Sequence, residues 1–282
     1  MGLAVIVAAG MTNIVLDAVL VTLLPQEYKL IGAAIATAGS QFVGGFIPVV
    51  YFGRKNSTLF RIGKTSLDFG AIGRACVNGS SEFMSNVSMS IIGMLYNVQL
   101  MKYAGEDGIA AYGVMMYVSF IFAAVFIGYS IGTAPVISYH HGAGNHKELK
   151  GILKKSLMIL LFFSVGMFIS AELLARPLAL IFVSYSENLM EMTVCGFRIF
   201  AFSFLFMGFA IFGSGFFTAL NDGLTSALIS FLRSLVFQIG AVLLLPMVWE
   251  IDGVWISVVA ADLMAMLLSF IFMAVKRKKY HY

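Results

Sequence analysis

Eight stretches of this sequence, at about 2–24, 31–52, 77–102, 109–139, 151–175, 190–219, 225–248 and 254–275, each run for more than twenty residues with very little charge. A helix needs roughly 20 apolar residues to cross about 30 Å of hydrocarbon. A soluble fold cannot absorb eight such runs. The chain is 60% hydrophobic and 11% charged, whereas a soluble surface calls for about a quarter of the residues to be charged. Lipid accepts the apolar excess directly. In lipid, only helices and closed barrels satisfy their own backbone, and runs of this length are helical. The reading is therefore an all-α integral membrane protein with about eight transmembrane helices. The 109–139 run exceeds one span and carries Gly128, Gly132 and Pro135 near its end, which predicts a bend or a cytoplasmic extension. No basic residue precedes the first apolar run, Gly2-Leu3-Ala4-Val5-Ile6-Val7, so that run reads as a span and not as a secretory signal.

The loops between the runs alternate in charge. Arg54, Lys55, Arg61, Lys64 and Arg74 follow the second run, Lys147, Lys150, Lys154 and Lys155 follow the fourth, and Lys276, Arg277, Lys278 and Lys279 follow the last. Those loops hold thirteen of the eighteen lysines and arginines. The intervening loops carry Glu27, Glu106, Asp107, Glu172, Glu187, Glu191, Glu250 and Asp252 with few bases. The positive-inside rule then predicts both termini in the cytoplasm of a plasma or inner membrane. This asymmetry accounts for the net charge of +4 without nucleic acid. Cys76 and Cys195 fall near opposite faces and are not expected to pair.

The first and last pairs of runs share a plan of helix, acidic turn, Gly-led helix and basic residues. Gly32-Ala33-Ala34-Ile35-Ala36-Thr37 and Gly253-Val254-Trp255-Ile256-Ser257 open the second helix of each pair. Internal repeats of this kind are common in secondary transporters. The expected organisation is 1–52 as two helices of an N-terminal lobe, 53–76 as a cytoplasmic linker, and 77–282 as a six-helix C-terminal lobe with a basic tail.

Ionisable groups inside lipid cost at least about 2.5–3.5 kcal/mol each and are functional candidates. Asp17 lies along the first run with Asn13 one turn before it on the same face. A carboxylate and an amide suit Na⁺ or a proton; the alternative is a solvated carboxylate near the boundary. Glu82 sits in a polar stripe with Asn78, Ser81, Ser85, Asn86, Ser88 and Asn97, a pattern that fits a wet cavity; the alternative is a carboxylate facing water beside Arg74. Asp262 is central in the last run near Ser257 and Ser269, either as a second ion or substrate group or in a helix–helix hydrogen bond. Arg198 is expected to snorkel outward or to pair with Glu191. His140, His141, His146 and Glu148 share one polar loop without zinc-like spacing and read as solvated. The chain has no Walker loop, Gly-x-Ser-x-Gly elbow or His-Glu-x-x-His, so no enzyme is expected.

These residues resemble the multidrug and toxic compound extrusion (MATE) transporters, within the wider group of drug, oligosaccharide-lipid and polysaccharide exporters. Asn13-Ile14-Val15-Leu16-Asp17, Gly32-Ala33-Ala34-Ile35-Ala36-Thr37 and Ser40-Gln41 look like the family's fifth and sixth helices. Gly128-Tyr129-Ser130-Ile131-Gly132-Thr133-Ala134-Pro135, with Ser138-Tyr139 and Gly142-Ala143, is similar to the end of its eighth. Pro177-Leu178-Ala179-Leu180-Ile181-Phe182, Arg233, Pro246 and Gly253-Val254-Trp255 resemble helices nine to twelve.

The resemblance implies twelve helices in two lobes, of which this chain holds the fifth to the twelfth. The missing N-terminal helices would lie upstream or in a separate chain. It further implies Asp17, Asn13 and Thr37 as a cation site and likens Glu82 to the seventh-helix acid of some family branches; Asn86 and Asp262 stand beside Glu82 as second-site candidates from their own positions in the spans. The family's first-helix aspartate and fourth-helix asparagine have no counterpart here. The expected activity is Na⁺- or H⁺-coupled export of cationic lipophilic compounds by alternating access, with the lipid bilayer as partner and no cofactor beyond the coupling ion. The rivals are a lipid-linked sugar flippase, which would want several cations in its cavity, and a truncated, non-transporting membrane protein.

Overall fold

The computed structural model describes residues 2–54, 67–184 and 186–282, without the side chains of residues 81, 82, 84 and 85. Two compact units result, Met1–Asp68 and Phe69–Tyr282. Among the described residues every regular element is helical.

The first unit is a hairpin. Helix α1 (Gly2–Leu23) and helix α2 (Lys29–Gly53) are joined by a short 3-10 turn, Gln26–Tyr28, that follows Pro25. Small residues on α2 admit α1 closely. Leu20 packs over Gly32, Leu16 over Gly39 and Ala9 over Gly44. Lipid gives apolar helices no reason to associate, so close approach over small residues is what holds such pairs. Only Gly32, Ala36 and Ser40 of α2 are buried, and α1 buries nothing.

The second unit begins at α3 (Phe69–Gly142), ahead of the apolar run at 77 and within the stretch expected as linker. Gly105 breaks α3 with φ +64, a conformation that favours glycine. The chain reverses there, because the rings of Tyr96 and Tyr112 stack at 4.9 Å, whereas sixteen residues of straight helix would separate them by about 24 Å. The second arm continues to Gly142 without another non-helical residue. The long fourth run is thus an extension of the helix beyond the span.

Helix α4 (His146–Val183) starts at an Asn145 cap that accepts from the Glu148 amide at 3.2 Å. Helices α5 (Glu187–Ala201) and α6 (Phe204–Ala219) are bent by 48° at the break between them and together are long and apolar enough for one span. Helix α7 (Gly223–Phe231), a π-helical segment (Leu232–Phe237) and α8 (Gln238–Leu244) make the next. Helix α9 (Pro246–Tyr280) is broken at Glu250, φ +49, where the chain turns back. Among the described residues six helices are long and apolar enough to cross a membrane, and seven with the bent pair. The reversal at Gly105 divides one of these, Asn86–Gly142, and gives the expected eight.

Aromatic side chains fill the centre of this unit. Phe126, Phe197, Phe204, Phe212, Phe216, Phe217 and Trp255 are fully buried. Gly208 lies flat against the Phe126 ring, which would stand 2.5 Å from any added Cβ. Hydroxyls join α6 to α7, with Ser214 2.9 Å from Ser226 and Ser230, and Thr218 2.6 Å from Ser226; such interhelical hydrogen bonds are a recurrent glue in lipid. Outward-facing residues are large and apolar, as with Phe162 at 76% exposure and Val275 at 70%.

Candidate functional site

In the hairpin, Asn13 and Asp17 follow each other one turn apart on α1, and both are half-buried. The packing of Leu20 on Gly32 and Leu16 on Gly39 puts Asp17 and Thr37 at one level of the pair. Thr37 is exposed, and its hydroxyl donates to its own helix at the Ala33 carbonyl, 3.0 Å away. That hydroxyl oxygen keeps its lone pairs for a further ligand. Among the described residues no hydrogen bond or ion pair engages the Asp17 carboxylate, and no acid, cysteine or histidine cluster there could hold a metal. The hairpin by itself therefore offers an amide, a carboxylate and a hydroxyl at similar depth without closing them around an ion.

Asp262 differs sharply. It is buried on α9 and accepts from Arg233 Nε at 3.3 Å, forming an ion pair inside the second unit. Twelve residues separate Asp262 from the break at Glu250, about 18 Å of helix and so near mid-membrane. Arg233 stands in the π-helical segment, a local widening frequently found at functional positions. Beside the pair lies a second polar group. The Tyr96 hydroxyl is 2.6 Å from Ser257 Oγ, with Gln238 alongside and Tyr112 stacked on the Tyr96 ring. Ser269, the other hydroxyl expected near Asp262, is buried with its oxygen unpaired among the described residues. Arg233 is not among the neighbours expected for Asp262. The signal was available, since Arg233 and Asp262 lie at comparable distances on either side of the turn around residues 245–250.

The side chain of Glu82 lies outside the described residues, and Asn86 is exposed. Arg198 reaches Glu172 on α4 at 3.8 Å and not Glu191 of its own helix. The bend between α5 and α6 leaves α5 packed against α4, which makes the neighbouring helix the nearer source of a carboxylate.

A third ionic centre sits at one end of the unit. Asp222 caps α7 by accepting from the Thr225 amide at 3.3 Å, and it also accepts from Lys276 at 2.9 Å and from the Tyr280 hydroxyl at 2.7 Å. Burial pushes its carboxyl up, but the bonds from Lys276, Tyr280 and Thr225 outweigh that and hold it down at about 2. His141 packs edge-on to Tyr280 and His146 to His281, with centroids 5.6 and 5.2 Å apart. The 143–145 turn, the 220–222 turn and the basic tail thus share one face, as the alternation of loop charge requires.

A family model described as MatE matches residues 83–243. The multidrug export protein MepA of Staphylococcus haemolyticus is 30% identical over 157 residues, 55% of this chain and 34% of that protein. MepA of Staphylococcus saprophyticus is 28% identical over 167 residues, 57% and 36% respectively. Among solved structures, a MATE protein in complex with MaL6 superposes with a TM-score of 0.88 at 22% identity, covering 98% of this chain and 62% of that one. A multidrug resistance MATE family transporter of the MOP superfamily matches with TM-scores of 0.86 outward-facing and 0.78 inward-facing, at 21% identity in both. These cover 98% of this chain and 62% and 63% of theirs. The chain therefore spans about a third of the length of the curated relatives it matches and under two thirds of the solved ones. With more than half of its residues matched by the family model, and with its multi-pass all-α fold, the chain belongs to the MatE family, a family of membrane transporters and not of enzymes.

Proposed function

We propose that this chain serves an ion-coupled exporter that exchanges Na⁺ or H⁺ for cationic, lipophilic compounds by alternating access, with both termini on the cytoplasmic side of the plasma membrane. The MatE match over residues 83–243 carries the reading, and the multidrug export proteins among its relatives support the substrate class. In this proposal Asp17, with Asn13 and Thr37, takes up the coupling cation. Occupancy biases the transporter toward one facing only if the ion binds the two conformations unequally. A carboxylate without a fixed counter-ion suits that role, since it gains or loses a partner with each cycle. Glu82, Asn86 and Asp262 remain second-site candidates, of which Asp262 already holds Arg233. Flexible methionines and the many phenylalanines suit a wall that adapts to varied apolar cations.

The flippase reading needs positive charge for a pyrophosphate. Arg198 and Arg233 are each committed to a carboxylate, which weighs against it. Ethidium efflux from cells expressing the gene, under separately imposed Na⁺ and pH gradients, tests the proposal. Efflux driven by one gradient is expected and names the ion; no efflux under either rejects ion-coupled export.

A further inference from the structure

The tail face of the second unit carries two sets of cations that behave differently. Lys276 and Lys279 are drawn to Asp222, at 2.9 and 3.9 Å. Lys150 on α4 and Arg277 and Lys278 at the end of α9 are not. They line, with Ala274, His281 and Tyr282, an open groove of about 540 Å³. All three are exposed, and no aspartate or glutamate pairs with them among the described residues. Arg277 donates its Nε to the α-carboxylate oxygen of Tyr282 at 3.1 Å, which fixes the plane of the guanidinium and leaves its terminal donors for an outside acceptor, while Lys150 and Lys278 keep the groove positive. Asp222, the buried acid at this end of the unit, is already saturated, and Glu148 on the first turn of α4 does not line the groove.

Position decides what such a groove meets. It lies where α4 begins and α9 ends, at the polar edge of two spans. The next outward residues on α9, Val275 and Ile271, are 70% and 58% exposed. An occupant thus needs negative charge above and hydrocarbon below. Basic pockets between transmembrane helices at a membrane face recognise lipid head groups by that combination. We infer that the groove formed by Lys150, Arg277, Lys278 and His281 binds the phosphate headgroup of an anionic phospholipid, whose acyl chains lie along the apolar face of α9. The Arg277 fork supplies geometry for phosphate oxygens and the lysines supply charge.

The experiment is native mass spectrometry of the full chain purified in detergent and titrated with phosphatidylglycerol, phosphatidylcholine or inorganic phosphate. Variants are K150Q/R277Q/K278Q in the groove and K154Q/K155Q outside it. Each cation near an anionic surface contributes roughly fivefold in affinity, so the wild type should retain phosphatidylglycerol about tenfold or more over phosphatidylcholine. The groove variant should lose that preference and K154Q/K155Q should keep it. If the triple variant does not fold by size exclusion, K150Q/K278Q leaves Arg277 and its bond to Tyr282 in place and should still lose roughly fivefold or more. Equal phosphatidylglycerol retention by wild type and groove variant overturns the assignment. Inorganic phosphate binding that depends on the groove, with no added gain from phosphatidylglycerol, overturns the lipid in favour of a free anion.

Discussion

Asp17 in the hairpin and Asp262 in the six-helix unit are both acids in apolar spans, yet their surroundings are opposite. Asp262 is buried and bonded to Arg233 across a π-helical turn. Asp17 is half-buried, next to an amide of its own helix, with no described group on its carboxylate. The helices around them differ in the same sense, since α1 buries no residue while α6 buries ten of its sixteen. A permanently paired charge contributes to architecture, and its removal leaves the partner stranded. An unpaired one contributes little to folding and is available for exchange. The comparison teaches that position in lipid alone does not tell a paired acid from an unpaired one; in the proposed function it is the unpaired one that takes up the coupling cation.

The largest effect expected on stability comes from splitting the Arg233–Asp262 pair. Arg233→Leu should destabilise by about 3–5 kcal/mol by leaving a buried carboxylate alone, read as a lowered unfolding temperature in detergent. The double substitution R233M/D262L should recover most of the loss. If it does not, the pair does more than hold α9 to the π-helical segment, and the contrast with Asp17 blurs.

Next in size is the packing of the aromatic core. Gly208→Ala drives a methyl into the Phe126 ring and should cost about 1–3 kcal/mol. The equivalent change at Gly10 of α1, where nothing lies within 4 Å, should not lower the unfolding temperature, because alanine suits a helix better than glycine.

Asp222 provides an effect of similar size that depends on pH. Its folded carboxyl, held down at about 2, lies below the ordinary value of about 4, so its contribution is complete above pH 4 and fades as pH falls toward 2. Asp222→Asn should cost about 1.5–3 kcal/mol at neutral pH, and the gap in unfolding temperature should close in acid. A gap that stays the same in acid would show that the charge of Asp222 is not what stabilises.

Smallest is Tyr96→Phe, which removes the hydroxyl shared with Ser257 and Gln238 and should cost about 0.5–1.5 kcal/mol while leaving the Tyr112 stack intact.

Hydrophobic run length and loop charge made the eight spans and their alternation readable, because the bilayer tests each segment separately. Gly105 and Glu250 sit in the acidic turns where reversals were expected. What run length could not deliver was rotation. Whether Arg198 finds Glu191 or Glu172, and whether Asp262 faces Ser269 or Arg233, depends on how adjacent helices are turned about their axes. The π-helical segment at Leu232–Phe237 changes that rotation without any Pro or Gly to mark it. The Asp222 cluster escaped notice for a related reason: an Asn-Asp turn looked neutral in sequence, while its partners lie more than fifty residues on. The placing of Asn13 one turn before Asp17 was legible because it is local to one helix.

Ethidium efflux by Asp17→Asn, set against its unfolding temperature, tests the central claim most directly. The account predicts normal membrane insertion, an unfolding temperature within a degree or two of wild type, as fits a surface-like change below about 0.5 kcal/mol, and loss of efflux. Efflux at the wild-type rate, or a collapse in stability like that of Arg233→Leu, would contradict it.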